Sequence, residues 1–267
     1  MSLLVLESVK PIEQQYRTGE EPVLVMCSDL NAYVCKYMRS SSAAYKLACE
    51  FIGSKMAKAW QIETPEIALV KIKQEHWAGK FMQHSLSAPA LGSKKADNII
   101  DVTPSTFDKV APTMSTLRQL LKIALFDFWI ANEDRNSNNA NLLYDIVRKK
   151  LISIDYGCIL NTATFDYQIT QLTSTDTILW SDLFQHLIKD REIYTIESII
   201  DELKSVYYAC IKRSNRKRRI ITTEIPKEWH ISSIAINEKL EQLFTERWTT
   251  DVWNNFVDCL IDNIENE

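Results

Sequence analysis

The sequence predicts an α+β chain in two lobes: a small strand-rich first lobe with one long helix, and a larger, mostly helical second lobe. Three observations carry this prediction. Over residues 1–88, short β-rich runs surround a single helical stripe, whereas residues 178–265 show helical periodicity only. The 5 glycines and 7 prolines are also too few to punctuate an all-β sandwich or barrel. At 46% hydrophobic and 25% charged the composition is globular, and 267 residues can bury a core without disulfides. The lobes are expected to divide into 1–88 and 89–267.

The first lobe opens with two apolar runs, Leu3–Val9 and Pro22–Cys27. Ala32–Tyr37 (AYVCKY) follows the turn-like Ser28-Asp29-Leu30-Asn31, which predicts a hairpin. Ser40, Ser41 and Ser42 offer helix caps. Ala44, Leu47, Ala48, Phe51, Ile52, Met56 and Ala59 then form the stripe of an amphipathic helix. Pro65–Ile72 and Gly79–His84 read as two more strands. Residues 85–116, rich in Ser, Ala, Pro and Thr, read as a connection of loop or short helices.

The second lobe begins with Leu117–Ala131, an apolar helix expected at the centre of a core. A polar loop leads to strands at Asn141–Tyr144 and Leu151–Ile154, and Asn161–Thr177 is polar and irregular. Helices are predicted near 178–189, 195–212, 234–247 and 251–264; Trp180, Trp229, Trp248 and Trp253 fall on helical patterns and are most simply read as core.

Composition excludes several functions. A net charge of −4 argues against a nucleic-acid partner. The scattered glycines exclude a dinucleotide fingerprint and a P-loop, which need them clustered. The 6 cysteines form no CxxC pair, so they fit free thiols in a reducing cytoplasm better than a zinc site. No uncharged apolar run reaches the ~18 residues of a membrane helix. MSLLVLESVK has no basic stretch before its apolar run, so no signal peptide is expected. The basic run Lys212–Arg219 reads as a solvated helix end that suits the helix dipole, against the sharper reading of an anion or nucleic-acid contact; docking of an acidic protein substrate also stays open.

The chemistry concentrates in two places. The loop Asn132–Asn141 (NEDRNSNNAN) is longer and more polar than a helix-to-strand turn requires. Beyond it, LISID ends a strand on Asp155, before Tyr156-Gly157, and a carboxylate there is unfavourable unless paired or metal-bound. Asp134, an amide five residues on at Asn139, and Asp155 supply oxygen ligands for Mg²⁺ plus a free carboxylate. Phosphoryl transfer needs that set. Asn141 is a second candidate amide. In the first lobe Lys36 lies in an apolar strand, and Glu50 borders the apolar face of the next helix. Taken alone, each has an ordinary structural reading. Together they match the pair that positions nucleotide phosphates in kinase-type sites.

With VCKY, the AxxE of the helix, ETPEIALVKI, NEDRNSNNANLL and LISIDYG, the chain resembles the HipA-like kinase domain family, a branch of the protein-kinase-like fold. The resemblance implies a bilobal kinase that binds ATP and Mg²⁺ between its lobes. Asp134 would be the catalytic carboxylate, and Asn139 and Asp155 would hold Mg²⁺. Lys36 would contact the phosphates, steadied by Glu50. Residues 82–87, with Gln83, His84 and Ser85, would meet adenine. The implied acceptor is a Ser or Thr of a protein. The family also includes toxins paired with antitoxins, so an antitoxin or regulatory partner belongs to the expectation.

One departure stands out. The phosphate-covering loop near Tyr16–Pro22 has one glycine, Gly19, followed by Glu20 and Glu21. Acids beside a triphosphate repel it, so their side chains must turn to solvent or weaken nucleotide binding. Two other readings follow: a catalytically weak nucleotide-binding scaffold, and a small-molecule or lipid kinase. The absence of a basic amphipathic anchor argues against a lipid acceptor.

Overall fold

The computed structural model describes residues 3–17, 19–77, 87–103, 105–106, 113–162, 167–189 and 193–265. Among the described residues the first lobe is a six-stranded sheet with one α-helix. Its strands are β1 (Leu4–Glu7), β2 (Gln14–Gln15), β3 (Val23–Met26), β4 (Ala32–Lys36), β5 (Ile67–Lys71) and β6 (Ala90–Lys94), in the order β1-β5-β6-β4-β3-β2. Helix α1 (Ser41–Ala59) follows β4, and the side chain of Ser40 caps it by accepting from Ala43 N–H.

The expected β3–β4 hairpin forms, with Val23 opposite Cys35 and Met26 opposite Ala32. Its turn is tied by Asp29, which accepts from Asn31 N–H at 3.1 Å and from the Tyr33 hydroxyl at 2.9 Å. Alternation along β4 decides the site. Tyr33 and Cys35 go into a small core with Val23, Val25, Ala68, Val70 and Trp77. Val34 and Lys36 emerge half-buried on the opposite face.

The structure corrects the reading of 85–116 as a connection. Residues 90–94 form β6, a central strand paired with both β4 and β5, so the first sheet extends past the expected boundary at 88. The sequence ALGSK carries little β-propensity. Gly92 sits there because a Cβ would lie 2.8 Å from Val70 Cγ2 and 3.1 Å from Tyr33 Cβ. The strand expected at Gly79–His84 lies outside the described residues.

The second lobe holds a three-stranded antiparallel meander, β7 (Ile99–Asp101), β8 (Leu142–Asp145) and β9 (Lys150–Ser153). Its helices are α2 (Met114–Ile130), α3 (Asp182–Ile188), α4 (Ile193–Thr223), α5 (Ser233–Gln242) and α6 (Glu246–Glu265). Helix α4 runs well beyond the expected end at 212, so Lys212–Arg219 lies inside a helix. The apolar stripe thins there, but Ser214, Ile221 and Thr222 remain buried and the Arg218 guanidinium stacks 5.6 Å from the Phe244 ring. Trp229 and Trp253 are buried as expected, whereas Trp180 is 41% exposed, at the end of a 3₁₀ turn that points Ile178 and Leu179 inward instead.

One continuous core joins α1 to the second lobe. It includes Leu47, Phe51, Ile52, Met56 and Trp60 together with Leu120, Phe126, Trp129, Tyr156 and Tyr207. Trp60 packs 5.2 Å from the rings of both Phe126 and Trp129. Polar ties reinforce the join: Lys55 bonds Glu224 at 2.7 Å, Arg213 donates to the Ala59 carbonyl at 2.9 Å, and Ser153 N–H donates to the Glu63 carbonyl at 2.8 Å.

Gly53 is where α1 meets the segment after β9. A Cβ there would fall 2.3 Å from Tyr156 Cβ. Alanine is the better helix former by about 0.5–1 kcal/mol, yet this overlap is too close to be absorbed without moving Tyr156. Gly53→Ala is therefore expected to lower stability by about 1–3 kcal/mol, read as a reduced urea midpoint at unchanged slope. A midpoint equal to or above wild type would show that the contact is not tight.

Candidate active site

Three elements converge on Lys36. Its ammonium, from the end of β4, lies 2.8 Å from Glu50 Oε2 on α1 and 2.7 Å from Asp155 Oδ1 just after β9. Glu20 Oε2, from the β2–β3 connection, lies 3.1 Å away. Lys36 and Glu50 have side chains only 16% and 6% exposed, so these pairs act with little solvent screening. Glu50 is thus buried rather than an ordinary border carboxylate. It also accepts from Tyr156 N–H at 2.9 Å, which fixes the backbone after Asp155 against α1.

Charge coupling follows from this geometry. Burial pushes the Glu50 carboxyl up to about 7, against the opposing pull of Lys36. Burial opposes the charged form of Lys36, but Glu50, Asp155 and Glu20 outweigh it and hold the ammonium well above its ordinary value. Asp155 likewise lies below the ordinary carboxylate range, because Lys36 and the Gly157 N–H overcome its desolvation. The Asp155 backbone is left-handed, with φ of 58°, a strained state for a residue other than glycine.

Asp134 follows α2, whose last turn ends on Ala131 in the left-handed conformation. Two amides reach it. Asn141 Nδ2 donates to the Asp134 carboxylate at 3.0 Å and to its main-chain carbonyl at 3.2 Å, and Asn139 Nδ2 donates to the carboxylate at 3.3 Å. Asn139 is exposed, whereas Asn141 is half-buried and its carbonyl accepts from Ile154 N–H at 3.1 Å. Glu133 N–H donates to the Cys158 carbonyl at 3.4 Å, so the Asp134 loop also lies against the segment that follows Asp155. Burial raises the Cys158 thiol to about 11, and Asp134, Asp155 and Glu20 add to the rise while Lys46 opposes it.

Beneath the loop lies a buried ion pair. Arg135, fully buried, donates to Asp127 Oδ2 at 2.7 Å, to the Ala140 carbonyl at 3.0 Å and to the Ile154 carbonyl at 3.2 Å, and also bonds the Asn141 carbonyl. Its guanidinium stacks 5.6 Å from the Tyr156 ring. Asp127 accepts a further bond from Asn132 Nδ2 at 2.8 Å. Burial pushes the Asp127 carboxyl up to about 6, and Arg135 opposes the rise. Sequence reasoning passed over this pair. The signal was present, since Asp127 is the one acid in the apolar stretch LRQLLKIALFDFWIA. The neighbouring acids also part company: Glu20 turns inward to Lys36 and to Lys46 at 3.4 Å, whereas Glu21 turns outward to Arg39 at 2.8 Å.

Gln83, His84 and Ser85, expected to meet adenine, lie outside the described residues. No group of three or more His, Cys, Asp or Glu side chains among the described residues is arranged to hold a metal. Mg²⁺ needs none, because it binds through one or two carboxylates together with substrate phosphates. The hard oxygens of Asp155, Asn139 and Asn141 fit that ion. Among the described residues no helix is long and apolar enough to cross a membrane.

A β-rich lobe with one helix, a helical lobe, and a buried lysine–glutamate pair joining strand to helix define a bilobal protein-kinase-like fold. The chain belongs to the HipA-like kinase family, whose profile matches residues 9–250. Its fold is similar to that of the Helicobacter pylori proinflammatory kinase CtkA, with a TM-score of 0.51 and 11% identity over 98% of this chain and 99% of that one. The open conformation of CtTel1 aligns with a TM-score of 0.37 and 10% identity over 91% of this chain and 11% of that one, too weak a likeness to argue from. No curated protein matches the chain.

The Lys36–Glu50 pair has a pH signature. A carboxyl whose folded pKa is raised binds more protons folded than unfolded, so stability falls as pH climbs from the unfolded value to the folded one. For Glu50 that window runs from 4.5 to about 7 with Lys36 in place. Removing the lysine extends it upward. Lys36→Met is expected to be less stable than wild type already at pH 5, because Asp155 loses its partner, and the deficit is expected to widen by about 2 kcal/mol by pH 8 as Glu50 is forced to ionise. A deficit that does not change with pH would show that the pair is not coupled.

Proposed function

We propose that this kinase transfers the γ-phosphoryl group of ATP, with Mg²⁺, to a hydroxyl, most readily that of a Ser or Thr in a protein. The observation that carries the reading is the Lys36 ammonium held between Glu50 and Asp155 beside the Asp134 loop. A kinase needs a fixed cation for the phosphates, a carboxylate for the metal and another for the acceptor hydroxyl, and these residues supply all three.

Lys36 binds and orients the phosphates, and Glu50 keeps it from swinging away. Asp134 accepts a hydrogen bond from the acceptor hydroxyl, aligns its oxygen for attack and receives its proton as the new P–O bond forms and the bond from the γ-phosphorus to the β,γ-bridging oxygen breaks, releasing ADP. Mg²⁺, when bound, neutralises charge on the phosphates. Asp155 and an amide of the Asp134 loop would hold it. Spacing favours Asn139, whereas the bonds to Asp134 and Ile154 favour Asn141 as the better-ordered ligand. Each amide spends its NH₂ on Asp134, leaving its oxygen as the cation-binding end. Arg135 carries no reacting atom; it holds the chain on both sides of the site. Acceptor choice rests on the family, as does an antitoxin or other regulatory partner.

Transfer of labelled phosphate to protein substrates tests the reading. Asp134→Asn is expected to reduce turnover at least about 100-fold while ATP still binds. Asp155→Asn is expected to weaken Mg²⁺-dependent ATP binding as well. Asn141→Ala should reduce turnover more than Asn139→Ala; the reverse order would return the cation to Asn139. Wild-type turnover in both Asp variants would refute the roles assigned. ATP binding without transfer to any acceptor would favour the scaffold reading.

A further inference from the structure

We propose that Glu20 is a built-in competitor for the nucleotide's polyphosphate, and thereby sets the site's affinity for it. The proposal rests on the kinase reading above, because it concerns the same cleft. Glu20 lies in the connection between β2 and β3, which is closed as a hairpin by the Gln14–Leu24 and Gln15–Val23 pairings and by Tyr16 N–H donating to the Pro22 carbonyl at 2.9 Å. Its Oε2 lies 3.1 Å from Lys36 Nζ and its Oε1 3.4 Å from Lys46 Nζ on α1. Oε1 is also 3.5 Å from the point where Gly157 would carry a Cβ. The carboxylate therefore spans from the phosphate-contacting lysine to the residue two past Asp155.

An ammonium has three donors and no acceptor. Two of Lys36's partners, Glu50 and Asp155, are built into the site from α1 and from the end of β9. Glu20 takes the third. To an ammonium, a carboxylate oxygen and a phosphate oxygen are the same kind of anionic acceptor. A polyphosphate reaching Lys36 must take Glu20's place, and if the carboxylate stayed, like charges a few ångströms apart would repel. Lys46, with a side chain 48% exposed, offers the displaced carboxylate a partner nearer solvent. Glu21 does none of this, since it is bonded to Arg39 and Gln15 on the outside.

The test is calorimetric titration of the full chain with ATP, ADP and adenosine, with and without Mg²⁺, for wild type, Glu20→Gln and Glu21→Gln. Glu20→Gln is expected to bind ATP and ADP about fivefold more tightly, with adenosine affinity unchanged and Glu21→Gln equal to wild type. Adenosine gaining as much as ATP would mean that the loop had been reshaped, and would overturn the proposal. So would unchanged ATP affinity, or a loss seen only with Mg²⁺, which would make Glu20 a cation ligand. If wild type binds ATP and Glu20→Gln binds it no better, only Glu20's role fails. If no protein binds ATP, the kinase reading fails and takes this inference with it.

Discussion

A single ammonium group keeps the two lobes in register at the cleft. Lys36 comes from a strand of the first sheet, Glu50 from the helix behind it, and Asp155 from the end of a strand in the other lobe. Two carboxylates this close repel unless a cation stands between them. The positions of strand, helix and second-lobe segment are therefore mutually dependent. Burial sharpens the dependence, because a buried charge left without its partner is far more unfavourable than an exposed one.

A second cation works at greater depth. Arg135 grips the carbonyls of Ala140, Asn141 and Ile154 and is itself neutralised by Asp127. It thereby joins the loop bearing Asp134 to the strand leading to Asp155. Tyr156 connects the two levels: its N–H bonds Glu50, its ring lies beside Arg135, and its Cβ packs on Gly53. The polar residues at the surface of the cleft thus rest on a framework set by one arginine, one tyrosine and one glycine.

Much of this was legible in the sequence, and the gaps have physical causes. The hairpin before Lys36, the helix bearing Glu50 and the Asp134 loop each carry a local signal: a turn, a periodic stripe, a polar run after an apolar helix. Strand β6 carries none. ALGSK is small and weakly β-forming, and only its two neighbours make it a strand. The far half of α4 differs: Lys and Arg are good helix formers, but its apolar stripe thins to Ser214, Ile221 and Thr222, so the periodic signal fades before the helix ends. The inward turn of Glu20 and the outward turn of Glu21 could not be read from adjacent identical letters. They follow from where Lys36 and Arg39 stand in three dimensions. Asp127 was visible as a lone acid among apolar residues, but its partner eight positions on is evident only once the loop folds back.

The anchoring of α1 restricts which inhibitors can work. One way for a compound to enter would be to rotate this helix outward, breaking the Lys36–Glu50 contact and opening a rear pocket behind it. Here Trp60 is wedged among Phe126, Trp129 and Tyr207, while Lys55 and the Ala59 carbonyl are bonded to α4. Rotation would tear open the shared core. Chemical scaffolds that require the rear pocket are poorly matched to this molecule, and the front edge beside the glycine-poor hairpin is the better place to start a screen.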